Sequence, residues 1–224
     1  MGTADAIGPD LGRLYRETRE RLICLVCELD DAALETVVPA CPRWSVRDVV
    51  SHLVAIVEDA LAGRLTVPPA EEETAAQVAR CRNRGQAEIL ETWATLAPQF
   101  EQAVAEFRVW PAVIDIASHE HDIRGALGRP AARDTAAVWH GAGYLLAELT
   151  SPVALRIAVE EAEFRVGPPG GTSLGLATSR FEAFRWRMGR RSRTQLAALD
   201  WSGDPSPVLD HLAVFGPAIN DIIE

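Results

Sequence analysis

Two short stretches hold the side chains best suited to chemistry. Trp44–Leu53 reads W-S-V-R-D-V-V-S-H-L and carries His52, and Asp115–Asp122 reads D-I-A-S-H-E-H-D and carries Asp115 and His119. Residues four apart lie on one helical face, so Asp115 and His119 can grip one ion together. His52, from a second helix, closes the triangle. Two imidazoles and a carboxylate hold a divalent metal with coordination positions left open, an arrangement that belongs to catalysis rather than to structural support. An ion held in this way lowers the pKa of a coordinated water or thiol and makes a nucleophile at neutral pH. The D-x-x-x-H spacing is also that of an ordinary solvated helix face, and spacing alone leaves both readings open.

These residues need helices to position them. Ser45 is a good N-cap, with Asp48 at the third helical position where its charge favours the positive end. Trp44, just before the cap, is placed to pack on Val49 as a hydrophobic staple. Val46, Val49, Val50, Leu53, Ile56, Val57 and Leu61 make the apolar face of that helix. His52 falls roughly 110° from the centre of the face, a boundary position that this helix by itself reads as a surface histidine. On the second helix, opened by Pro111 and stopped by Gly128-Arg129-Pro130, Asp115, His119 and Asp122 share one strip. Ile116, Ile123 and Leu127 form the neighbouring apolar strip, and Glu120 and His121 point away from the polar trio.

The remaining pattern is mostly helical. Leu11, Tyr15, Thr18, Leu22, Leu25 and Leu29 form the seam of a first amphipathic helix ending near Asp30. Cys24 and Cys27 lie beside it and read as buried apolar thiols, since no second pair completes a four-ligand site. Pro68–Glu73 is a connector to a long helix with the stripe Leu90, Trp93, Ala97, Phe100, Val104 and Phe107, a bundle core. A fifth helix is predicted from Thr135 to Leu149, burying Trp139, Tyr144, Leu145 and Leu149. After Pro152 the pattern alternates through Val153–Val166, turns at Gly167–Gly171, and continues with a short strand at Leu174–Thr178, a helix at Ser179–Met188 and a last short helix at Val208–Phe215. The expected architecture is α+β, mainly α. An up-down four-helix bundle over residues 1–150 is followed by a small α+β domain over 151–224.

With 224 residues the chain can bury a real core. Its net charge is -10 and all 22 basic residues are arginine, so it offers no basic stripe for nucleic acid. Met1–Asp10 does not resemble a signal peptide, no apolar run reaches membrane-spanning length, and four cysteines are too few for a disulfide scaffold. A cytosolic, reduced protein with small-molecule partners is expected. Arg190 and Arg191, just past Gly189, read either as a carboxylate-binding fork reaching over the bundle mouth or as a solvated arginine run.

The stretch W-S-V-R-D-V-V-S-H-L after an amphipathic first helix, the carboxylate-x-x-x-His-x-x-Asp helix ending in A-L-G-R-P, and R-M-G-R-R-S followed by W-S-G-D together resemble the mycothiol-dependent maleylpyruvate isomerase family. That family belongs to the wider group of DinB-like metal-binding four-helix bundles. The resemblance covers most of the chain. It implies zinc held by His52, Asp115 and His119, with mycothiol or a similar low-molecular-weight thiol as cosubstrate. It places Asp122 where it orients a ligand imidazole, the alternative being a simple helix-surface acid. The fork reading of the arginine pair sets Arg190 among the catalytic groups and Arg191 at the cofactor. The family usually has glutamate where this chain has Asp115, one methylene shorter. The implied activity is a metal- and thiol-dependent isomerase or S-transferase acting on a small electrophilic, carboxylate-bearing substrate. The competing class is a non-catalytic metal-binding or sensing protein on the same bundle.

Overall fold

The structure is a computed structural model that describes residues 8–66, 68–170 and 173–224. Residues 1–7 of the leader reading and Gly171 of the turn lie outside the described residues. The chain divides into two compact units, Met1–Arg129 and Pro130–Glu224.

The first unit is built on four long helices, α1 (Leu11–Cys27), α3 (Val46–Leu61), α5 (Gln86–Glu106) and α6 (Trp110–Ala126). A short α2 (Asp31–Leu34) and the hairpin β1 (Val37–Val38) and β2 (Cys41–Ser45) fill the link from α1 to α3. Asp10 caps α1 by accepting from Arg13 N at 3.0 Å. At α3 the cap is reciprocal: Ser45 Oγ accepts from Asp48 N and Asp48 Oδ2 accepts from Ser45 N, which satisfies two otherwise orphaned donors. The core between α1 and α5 joins Leu11, Tyr15 and Leu22 to Ile89, Trp93, Phe100 and Val104, all buried. Trp93 Nε1 donates to the Tyr15 hydroxyl at 3.3 Å, and Phe100 meets the Tyr15 ring edge-on at 5.0 Å. Glu120 is fully buried on α6, where Arg21 of α1 and Arg124 grip its carboxylate at 2.8–3.2 Å and tie two helices together.

Several expectations are corrected in this unit. The stretch read as a connector running straight into one long helix contains a separate helix, α4 (Glu71–Cys81), packed on α3. The stripe of α5 begins at Ile89 rather than Leu90, and Phe107 is exposed because it caps the helix beyond the last covered turn. Cys24 and Cys27 are both exposed, since the buried face of α1 passes through Leu22, Leu25 and Val26 and leaves the thiols on its flank.

The second unit holds α7 (Ala136–Ala147), then a four-stranded sheet in the order β4-β3-β5-β6, made of β3 (Leu155–Val159), β4 (Ala162–Val166), β5 (Leu174–Thr178) and β6 (Asp200–Trp201). Helices α8 (Arg180–Arg187) and α9 (Arg193–Ala197) complete it. Its core gathers Leu146, Leu149, Leu155, Ile157, Leu176, Trp186 and Leu196. The break therefore falls at Arg129, not near residue 150: α7 gives its apolar face to α8 and the sheet. Trp139 is exposed, with the Arg180 guanidinium over its ring at 3.9 Å. The helix predicted at Val208–Phe215 reduces to a single 3-10 turn, Leu209–His211. Pro205 and Pro207 sit at its start, and Val214 N donates to Arg187 O instead of continuing a helix.

At Gly12 helix α1 packs tightly against α5, because a Cβ there would run into the Glu101 carbonyl oxygen. The Gly12→Ala variant is expected to lose about 1–3 kcal/mol of stability, the usual cost of forcing backbone apart in a packed core. Urea unfolding monitored by tryptophan fluorescence measures it, with the midpoint falling at constant slope.

Candidate metal centre

His52 comes from the middle of α3, and Asp115 and His119 from successive turns of α6. The fold brings them together despite their separation in sequence: one ligand atom from each lies within 4.8 Å of the others. Asp115 Oδ2 is 4.0 Å from His52 Nε2, and Asp115 Oδ1 is 3.5 Å from His119 Nε2. Ligands bonded to a tetrahedral zinc at about 2.0–2.2 Å stand roughly 3.3–3.6 Å apart. The aspartate therefore reaches both imidazoles in spite of its short stem, and small side-chain shifts bring the set to bonding distance.

His52 is 3% exposed, not a surface residue. Two neighbours outside its own helix cover it: the Trp44 ring, centred 4.8 Å away, and Gln77 of α4, whose Oε1 is 3.0 Å from His52 Nδ1. Trp44 thus lies on the histidine, and its ring is also 6.3 Å from that of His119. His119 Nδ1 is 3.0 Å from Asp122 Oδ2, and the Asp122 side chain is completely buried. A carboxylate only accepts, so Nδ1 of His119 donates. Both histidines thus spend Nδ1 on an oxygen and turn Nε2 toward Asp115. Metal-ligating histidines are held in this way by a carboxylate or carbonyl behind the ring. The donor set and its supports fit a divalent ion.

Electrostatics separates the two rings. Burial pushes His52 down to about 4, with Asp115 opposing that shift and His119 adding to it. Burial also acts to lower His119. Asp115, the hydrogen bond to Asp122 and the neighbouring Cys41 outweigh it and raise His119 to about 10.

Cys41, on β2, was not foreseen as part of this region. Its Sγ is 4.0 Å from Asp122 Oδ2, and Cys41, His119 and Asp122 form a second group of closely placed donors. His119 Nδ1 cannot both donate to Asp122 and ligate an ion, so this trio reads as backing for the first. Gln77 also escaped the sequence reading, because α4 did. The signal available was the acidic run Glu71–Glu73, which suits a helix N-terminus.

Arg190 and Arg191 belong to the second unit. The Arg191 guanidinium is taken by Glu182 and by Glu224, the latter at 2.9 Å, which leaves its fork engaged within the second unit. Arg190 donates to the Met188 carbonyl at 2.6 Å. His140 and His211 are exposed.

Fold and donor set together define a helical bundle carrying a candidate two-histidine, one-carboxylate metal centre. The sequence matches the family model for the mycothiol maleylpyruvate isomerase N-terminal domain over residues 15–164, and the chain belongs to that family. Two solved structures share its fold: a mycothiol-dependent maleylpyruvate isomerase and a histidine-to-alanine mutant of that enzyme. Each has a TM-score of 0.59 and 15% identity, and the alignment covers 88% of this chain and 94% of the other. No curated protein matches the sequence. No helix among the described residues is long and apolar enough to cross a membrane.

At pH 7 the metal-free protein holds His119 as the imidazolium and His52 as the neutral ring with a single N–H. A divalent ion bound through these rings would displace about one proton, with affinity rising about tenfold per pH unit through neutrality. Calorimetry in buffers of different ionisation enthalpy measures the release. In the metal-free fold the stability linked to His119 is complete below its ordinary 6.5 and is lost as pH rises through about 10. His52 acts oppositely, costing stability as pH falls from 6.5 toward about 4.

Proposed function

We propose that His52, Asp115 and His119 hold a divalent metal, zinc in first place, and that the protein is a thiol-dependent isomerase or S-transferase. The observation that carries this reading is the shared orientation of the two imidazoles, each with Nδ1 engaged and Nε2 turned to Asp115. A divalent ion in such a site lowers the pKa of a bound thiol and supplies thiolate at neutral pH. Family membership and the named activity of the structural relatives support mycothiol, or a similar small thiol, as the cosubstrate. A small electrophile bearing a carboxylate is the substrate class.

The chain's own residues supply binding and order. Asp122 holds His119 by its Nδ1 proton and balances the charge on that ring. Gln77 does the same for His52 without adding charge. Trp44 lays an apolar ring against His52 and limits water on that side. Asp115, whose side chain is one-third exposed, stands at the open side of the site, where a thiol can approach.

Metal content and turnover are the tests. The purified protein is expected to hold about one zinc per chain. His119→Ala should lose metal retention and thiol-dependent turnover together, since two remaining ligands hold zinc poorly. Asp115→Glu should keep the metal and alter turnover alone, by moving the carboxylate one methylene outward. A His119→Ala protein that loses its metal yet turns over at the full thiol-dependent rate overturns the reading.

A further inference from the structure

We infer that Gln77 and Asp59 fix the tautomer of His52, acting as positioning residues for the metal centre; the purpose of this relay rests on the metal reading above. Asp59 lies two turns after His52 on α3, and so on the same face. Gln77, 1% exposed, bridges them. Its Oε1 is 3.0 Å from His52 Nδ1, and its Nε2 is 3.0 Å from Asp59 Oδ2. Asp59 is itself gripped by Arg80 at 2.8 Å and by Arg64 at 2.9 Å.

The donor and acceptor inventory then admits one arrangement. An ionised carboxylate has no proton to give, so the end of the Gln77 amide that faces Asp59 must be the NH2 group. The opposite end is therefore the carbonyl, which can only accept. His52 Nδ1 must carry the hydrogen, and its lone pair falls on Nε2, the nitrogen that faces Asp115. Turning the amide over would set oxygen against oxygen at Asp59 inside a buried site, where a mismatched polar contact is expensive. Two arginines thus select the lone pair offered to the ion, through one carboxylate and one amide. On the other ring Asp122 achieves the same end directly. The amide delivers that polarity to His52 without placing a second charge against it.

The test uses metal-free protein labelled with 15N-histidine, in which long-range proton–nitrogen correlations show which His52 nitrogen bears the hydrogen. Zinc affinity follows from competition with a chromophoric chelator. Wild type is expected to show the Nδ1–H form. Gln77→Leu should give a mixture of tautomers and bind zinc about 10–100-fold more weakly, the range for losing a partner behind a ligand histidine. Asp59→Asn frees the amide to turn and should shift the tautomer in the same direction with a smaller loss. The double variant Asp59→Asn/Gln77→Glu rebuilds the polarity, with a carboxylate accepting from Nδ1 and an amide donating to it. Recovery of the Nδ1–H form and of most zinc affinity there is expected, and packing alone would not produce it. A pure Nδ1–H signal and zinc affinity within about twofold of wild type in Gln77→Leu overturn the inference. If wild type binds no zinc, the metal reading fails, and the tautomers in the metal-free variants still decide the relay.

Discussion

A neutral imidazole has one proton and one lone pair, and a histidine can give the lone pair to an ion only if its other nitrogen keeps the proton. The candidate centre meets that constraint twice, in different ways. On α6 the acceptor behind His119 is a carboxylate one turn along the same helix, so the helix carries its own support. On α3 no such residue is available, and the acceptor comes from α4. The rings need the same orientation but reach it at different cost. A carboxylate behind His119 favours the imidazolium, with which an incoming ion would have to compete. An amide behind His52 leaves that ring neutral and ready.

Those hydrogen bonds hold only because the helices beneath them cannot shift. The Ser45–Asp48 capping box fixes where α3 begins, and through it the height of His52 in the bundle. The same residue ends β2, so the hairpin sets Trp44 and Cys41 beside the histidines. On α6, Glu120 is bonded to Arg21 of α1, which holds the helix against rotation. Removing one partner of such a buried ion pair would leave an uncompensated buried charge, so Glu120 and its two guanidiniums hold one another in place. Glu120 adjoins His119 on α6, so this pairing also limits rotation of the helix that carries Asp115 and His119.

The metal-ligand candidates were legible because helical spacing is a local property. Asp115 and His119 share a face whatever surrounds them, and Ser45, Asp48, Pro111 and Gly128 announce helix ends by chemistry confined to a few residues. Burial was much less legible. The α3 wheel places His52 at a boundary and says nothing of α4, whose Gln77 converts that boundary into an interior. Trp139 failed in the opposite sense: its helix is apolar nearly all round, and only the chosen packing partners decide which side is covered. The extent of α7's contacts moved the unit boundary for the same reason. Arg191 shows the limit of reading charge from type alone, because the carboxylates that take its fork are Glu182 and Glu224 of the same chain.

The shorter acid at position 115 gains significance from this frame. Aspartate brings its carboxylate close to the α6 backbone, and hence close to His119, which stands on the same helix. The oxygen-to-nitrogen distances follow that bias, 3.5 Å to His119 against 4.0 Å to His52. His52 is the ligand farther from the carboxylate and also the one with the rigid uncharged support. A neutral ring gives up less electrostatic attraction on moving than a charged one. His119, charged, hydrogen-bonded to Asp122 and 3.5 Å from Asp115, would give up more to move. In the proposed centre, adjustment to the short carboxylate would therefore fall mainly on the α3 side, where the Gln77 amide keeps His52 in order.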